Sequence, residues 1–216
     1  MDKQEIIRRM CESGVLPVFR TRDVRHIMPA SKAYCDAGIG CIEYTMTVPG
    51  ALDLIRQAVA ELGGDMCVGA GTALDGASVD RAVEAGAKFV ASPGLNAGMV
   101  EACRRHGVVS VVGAITPTEI MEAMDLGADV IKVFPAGCVG PGFFAEMLGP
   151  FPGLCLMAAA GFTLATVGQY VAAGASIVTV PAQGLDAAAY AAGDCPAITR
   201  AAVKWVQAVR AARPRR

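Results

Sequence analysis

The chain has 216 residues, 54% of them hydrophobic and 18% charged, enough to bury a large core as one domain spanning 1–216. A formal net charge of −1 gives no electrostatic case for nucleic acid, and no apolar run approaches the roughly 18 residues of a membrane span. The N-terminal Met-Asp-Lys-Gln-Glu has neither the basic nor the apolar region of a signal peptide, so a soluble cytoplasmic protein is expected. Eight cysteines (Cys11, Cys35, Cys41, Cys67, Cys103, Cys138, Cys155 and Cys195) form no C-x-x-C pair, and the only histidines are His26 and His106. That pattern points to free thiols in a reducing compartment and to no metal site. The basic tail from Arg210 to Arg216 reads as a frayed, solvated terminus.

A helix-patterned segment at 3–13 opens the chain and is closed by Gly14. The same arrangement, a glycine ending a helix-like segment and a β-rich run after it, recurs at Gly38, Gly63, Gly86, Gly107, Gly127, Gly153 and Gly174. Successive glycines are 20 to 26 residues apart, the length of one βα unit, and each suits the left-handed C-cap of a helix. The β-rich runs are 15–21, 41–46, 66–72, 88–94, 108–115, 129–136, 154–161 and 176–183. Helical patterns such as 24–37, 50–62 and 164–173 lie between them, and 198–210 supplies the last helix. Eight evenly spaced units predict an α/β chain folded as a single (β/α)8 TIM barrel with an extra N-terminal helix. A doubly wound open sheet is the competing architecture.

Barrel enzymes carry their chemistry at the C-terminal ends of the strands. Arg20 closes the strand of the first run, and its fork suits a carboxylate, although a surface arginine would look the same. In the second run, period-two alternation puts Glu43, Thr45 and Thr47 on one face, which makes Glu43 a carboxylate inside the barrel. The third ends in Val-Gly-Ala-Gly-Thr at 68–72, with glycines that let backbone approach a ligand and a hydroxyl on Thr72; the fourth ends in Ser-Pro-Gly at 92–94. The sixth, Asp-Val-Ile-Lys-Val-Phe-Pro-Ala at 129–136, places Lys132 in the middle of an apolar strand, facing the same way as Val130 and Phe134. Burial disfavours an ammonium and makes an amine available as a nucleophile, the chemistry of a Schiff base, unless the side chain snorkels to water. Lys132 and Glu43 could meet in the lumen as nucleophile and proton shuttle, or as a structural salt bridge.

These residues together resemble the KDPG/KHG aldolases, class I enzymes acting on 2-keto-3-deoxy-6-phosphogluconate and 4-hydroxy-2-oxoglutarate and releasing pyruvate. The motifs are Ile-Glu-Tyr-Thr at 42–45, Val-Gly-Ala-Gly-Thr at 68–72, Ser-Pro-Gly at 92–94, Thr-Pro-Thr-Glu at 116–119, Ile-Lys-Val-Phe-Pro-Ala at 131–136 and Gly-Pro-Phe at 149–151. The resemblance implies a Schiff-base lysine at Lys132 and a catalytic glutamate at Glu43. It implies a pyruvate pocket lined by Thr72 and Pro93, with Phe134 as its aromatic wall. It also implies a homotrimer, and chemistry that uses a covalent imine and no cofactor. The expected partners are a small 2-oxo acid substrate and pyruvate.

The chain departs from the family pattern at two places. Where many members carry a carboxylate-binding arginine it has Thr47; a branch with Thr-Val-Pro here, as at 47–49, uses an arginine ending the first strand, a role that Arg20 fits. The family's phosphate cradle, Thr-Gly-Gly after the seventh strand and Gly-Ser after the eighth, is replaced by Ala-Ala-Ala-Gly at 158–161 and Pro-Ala-Gln at 181–183. Gly161 and Gln183 remain as candidate contacts to the far end of the substrate. The expected substrate is therefore an unphosphorylated 2-oxo acid, 4-hydroxy-2-oxoglutarate or a keto-deoxy sugar acid, with an ordinary KDPG aldolase as the alternative. A non-catalytic ligand-binding barrel and an isomerase or epimerase using Glu43 and Lys132 stay open beside it.

Overall fold

The computed structural model describes residues 1–214. Eight parallel strands, β1 (Val15–Phe19), β2 (Cys41–Thr45), β3 (Cys67–Gly71), β4 (Phe89–Ala91), β5 (Val109–Ala114), β6 (Val130–Val133), β7 (Leu156–Ala159) and β8 (Ile177–Pro181), pair in chain order and close through β8 onto β1. Helices alternate with them: α1 (Lys3–Ser13), α2 (Ile27–Asp36), α3 (Ala51–Leu62), α4 (Gly76–Glu84), α5 (Ala97–His106), α6 (Pro117–Asp125), α7 (Gly142–Leu148), α8 (Val167–Ala172), α9 (Ala187–Ala192) and α10 (Cys195–Ala212). This is the expected (β/α)8 barrel, and α1 is its extra N-terminal helix. The strands are shorter than the β-rich runs that announce them, because the ends of those runs turn into the adjoining loops.

Seven of the eight punctuating glycines have positive φ, from 66° at Gly107 to 114° at Gly174. Gly63 differs: its φ is −64°, and the backbone makes a further turn in which Asp65 and Met66 both donate to the Leu62 carbonyl. The alternation along each strand separates two apolar sets. Residues such as Ile42, Val112, Ile131 and Val133 pack outward under the helices. Leu16, Cys41, Phe89, Val130, Met157 and Ile177 fill the lumen. Ile6 and Met10 of α1 plug the lower end of that lumen, 2% and 1% exposed, and burying each contributes about 2 kcal/mol. Lys3 holds the plug to the sheet through Asp129 at 2.8 Å, and the same carboxylate accepts from the backbone N–H and hydroxyl of Ser110. The start of β6 is thereby fixed to both α1 and β5.

The basic tail is not frayed through Arg213. Helix α10 runs to Ala212, and the Arg213 guanidinium donates to the carbonyls of Cys11 and Glu12 at the end of α1. The last two residues of the chain lie outside the described residues. No helix among them is long and apolar enough to cross a membrane. All eight cysteines are free thiols.

Candidate active site

Strand β6 carries Lys132 into the upper lumen, between Val130 below it and Phe134 just past the strand end. The side chain is 6% exposed, and its Nζ lies 5.5 Å from the centre of the Phe134 ring. It has no ion-pair partner among the described residues. Its small exposure opens into a cavity of about 300 Å³ at the C-terminal mouth, lined by Arg20, Lys132, Phe134, Thr179 and Gln183 together with Val18, Ala159, Ala160, Val180 and Pro181. The lysine does not snorkel out of the barrel.

Glu43 sits on β2 and is fully buried. Both carboxylate oxygens lack a hydrogen-bond partner, an arrangement that costs about 1–3 kcal/mol for a polar group and more for a charged one. The salt bridge to Lys132 that the sequence left open is not formed. Two oppositely ionising side chains therefore enter one lumen without neutralising each other. A buried ionisable side chain left without a partner in a cleft is a candidate for a functional role.

The glycines of 68–72 work differently from the sequence reading, in which they admitted a ligand. A Cβ at Gly69 would stand 2.3 Å from the Phe89 ring, and one at Gly71 would stand 1.8 Å from Glu43 Oε1. These positions make room for lumen side chains, so Gly71 is the floor on which the Glu43 carboxylate rests. Gly71→Ala is expected to push that carboxylate aside; turnover measured beside thermal stability should show a loss of kcat of tenfold or more in protein that still folds.

At the rim, Arg20 follows β1 directly and is exposed. Its Nη2 donates to the Thr72 hydroxyl at 3.2 Å. Thr72 has φ 61°, a left-handed conformation that costs a β-branched residue about 1–3 kcal/mol and signals a constrained position. Beside Arg20, Gln183 Nε2 donates to the Arg20 carbonyl at 3.0 Å, leaving the buried Oε1 without a partner. The Tyr34 hydroxyl of α2 donates to the Ala182 carbonyl and holds that loop in place.

The structure thus brings Arg20, Lys132, Phe134 and Gln183 to one cavity, with Thr72 tied to it through Arg20 and Glu43 buried beneath the rim at Gly71. Besides Thr72 and Glu43, three more expected residues lie outside the lining. Thr47 is exposed, and its hydroxyl pairs with that of Thr45 at 2.8 Å. Pro93 folds over β5, where a Cβ on Gly113, the register partner of Lys132, would stand 2.2 Å from the Pro93 carbonyl carbon. Gly161 turns its Cα against Gly137, closely enough that a Cβ at Gly161 would lie 2.3 Å from the Gly137 Cα. Its glycine is required to dock the loop after β7 on the loop after β6, a contact completed by Gly137 N–H to the Ala160 carbonyl at 3.1 Å.

One polar lining residue was not singled out in the sequence. Thr179 is 8% exposed on the lumen face of β8. The signal was present: period two along Ile177, Thr179 and Pro181 puts a lone hydroxyl among inward positions.

Comparison with known proteins bears on this arrangement. Residues 6–201 match the family described as KDPG and KHG aldolase. The chain belongs to that family. The 2-dehydro-3-deoxy-phosphogluconate aldolase of Treponema pallidum is 33% identical over 205 residues, covering 90% of this chain and 93% of that protein. The KHG/KDPG aldolase of Escherichia coli K12 is 31% identical over 194 residues, covering 89% and 91%. Among solved structures, the 2-keto-3-deoxy-6-phosphogluconate aldolase of Zymomonas mobilis ZM4, crystallised with 3-phosphoglycerate, superposes with a TM-score of 0.82 at 28% identity, covering 98% of this chain and 99% of that one. As a member of the KDPG and KHG aldolases, the chain is a carbon–carbon lyase, and its cavity stands at the end of the barrel where that class of fold does its chemistry.

Proposed function

We propose that this chain, acting over 1–216 as one domain, is a class I aldolase that cleaves an unphosphorylated 4-hydroxy-2-oxo acid to pyruvate and an aldehyde through an imine on Lys132. The observation that carries the reading is the unpaired state of Lys132 and Glu43 within one lumen. The Lys132 amine attacks the C2 ketone, and loss of water gives an iminium. Glu43, directly or through a water, takes the C4 hydroxyl proton as the C3–C4 bond breaks. The bond electrons flow into the iminium and leave an enamine of pyruvate, while the aldehyde departs. Glu43 returns the proton to C3, and hydrolysis frees pyruvate and the lysine. The iminium is itself the electron sink, so the reaction requires no cofactor.

Arg20 and Thr72 are suited to hold the pyruvyl carboxylate, and Phe134 to wall the reacting carbons, with Pro93 beside them. Trapping tests the imine: pyruvate and borohydride should add a reduced pyruvyl mass to the peptide containing Lys132. A barrel that only binds ligands, or an isomerase using acid–base chemistry alone, would give no such adduct.

The anchor is tested separately. Arg20→Ala removes a charge-assisted contact and should raise KM for pyruvate in the condensation direction roughly tenfold to a hundredfold. Thr47→Ala, whose hydroxyl meets Thr45, should change it little. The opposite ranking would move the anchor to position 47.

The unphosphorylated substrate is supported by the far wall of the cavity. Ala159 and Ala160 offer methyl groups there, Pro181 has no N–H, and Gln183 brings no charge. Gly161, which backs onto Gly137, is left with at most a backbone contact. The N-terminus of the short α9 is already capped by the Asp186 carboxylate. A specific observation favours the second reading, an ordinary KDPG aldolase: Ala160 keeps φ 67°, the backbone shape a glycine would adopt. The ratio of kcat/KM for KDPG to that for its dephosphorylated analogue separates the two, and 4-hydroxy-2-oxoglutarate serves as the third substrate.

The family resemblance also supports a homotrimer. Met121 and Met124 on α6 and Leu126 at its C-cap are exposed and give it an apolar face to use, and light scattering reads the mass. The free thiols suit the cytoplasm.

A further inference from the structure

Cys11 on α1 and Cys155 just before β7 are 144 residues apart in sequence, and their Sγ atoms are 3.9 Å apart in the fold. Both are partly exposed. A cavity of about 430 Å³ at the foot of the barrel is lined by Cys11, Ser176, Gly174 and Arg213, while Cys155 lies outside that lining. Small molecules therefore reach Cys11 first. The other close thiols, Cys41 and Cys67, are neighbours on β2 and β3 but are sealed in the lumen at 0% and 2% exposure.

We propose that Cys11 and Cys155 form an oxidation site, with Cys11 as the reacting thiol and Cys155 as the resolving one, and that their disulfide staples the plug helix α1 to β7. The electrostatics of the site agree with this order. Hydrogen bonding with Cys155 holds the Cys11 thiol below its ordinary value, and the nearby Arg213 guanidinium adds to the effect. The same pairing and burial push the Cys155 thiol up. Forming the bond requires the sulfurs to close from 3.9 Å to about 2.05 Å.

The oxidant is a low-molecular-weight disulfide. The Cys11 thiolate attacks one of its sulfurs, forming a mixed disulfide and expelling one thiolate. Cys155 then gives its proton to solvent and attacks the Cys11 sulfur, expelling the second thiolate. Two protein thiols and one small disulfide become one protein disulfide and two small thiols. The closed loop spans two thirds of the chain, so the staple should constrain the unfolded state strongly.

The test uses the full chain, reduced and then exposed to oxidised glutathione. The expected result is a product lighter by two hydrogens whose digest contains a Cys11–Cys155 cross-linked peptide, and a higher Tm than the reduced protein. In Cys155→Ser the resolving step is gone, so glutathione should remain on Cys11 and the Tm gain should vanish. A second measurement does not depend on that variant folding: in the reduced wild type, iodoacetamide should alkylate Cys11 well before Cys155. A digest with no Cys11–Cys155 peptide, or a bridge between other cysteines, overturns the proposal. Alkylation of Cys155 before Cys11 overturns the assigned order.

Discussion

Lys132→Arg is expected to leave the barrel folded and to reduce carbon–carbon cleavage to background. Arginine keeps the positive charge and nearly the length of lysine, but its guanidinium stays protonated and cannot form the imine. The site is 6% exposed, so the larger head must press toward the cavity mouth and the Phe134 ring. Some loss of stability is therefore expected, of about 1–3 kcal/mol as for other overpacked positions. Circular dichroism and a thermal melt separate that cost from the chemical one. Pyruvate release should fall by several orders of magnitude in folded protein, and borohydride should add nothing to the variant. Substantial turnover by Lys132→Arg would remove the Schiff base from the mechanism.

Glu43→Gln should lower kcat by roughly 10²–10⁴, the range for loss of a positioned general acid–base group. The change preserves shape, which matters because the carboxylate rests on Gly71 with no room for a Cβ beneath it. An amide can still fill that space, but it cannot shuttle protons between C4 oxygen, solvent and C3. Imine formation should become slow without being abolished, so borohydride should still trap pyruvate on Lys132 given time. An unchanged kcat would mean that another group moves the protons. The pair of variants separates the roles: one loses the covalent adduct, the other loses the rate.

Much of the architecture was legible in the chain itself because its determinants are local. A helix needs a residue that tolerates positive φ at its end, and Gly14, Gly38, Gly86, Gly107, Gly127, Gly153 and Gly174 provide it. A strand in this barrel needs a few apolar residues in alternation, and all eight runs have them. Lys132 and Glu43 stood out because each interrupts such a run with a group that is costly to bury. Period two sets Lys132 in line with Val130 and Glu43 in line with Cys41, on the face that fills the lumen.

Other features depend on which strand lies beside which, and no local pattern carries that information. Gly69 and Gly71 are needed because Phe89 from β4 and Glu43 from β2 arrive over β3. Gly161 is needed because the loop after β6 lies against its Cα, and Gly113 because Pro93 folds across it. The hydrogen bond from Gln183 to the Arg20 carbonyl joins residues 163 apart that meet only when β8 closes onto β1. Arg213, read from composition as part of a loose basic tail, docks on α1 because that same closure brings the end of α10 under the barrel. Alternation along a strand determines which side chains face the lumen, through the geometry of a single backbone. Which of them meet, and what they must make room for, was decided only by the register in which eight strands close.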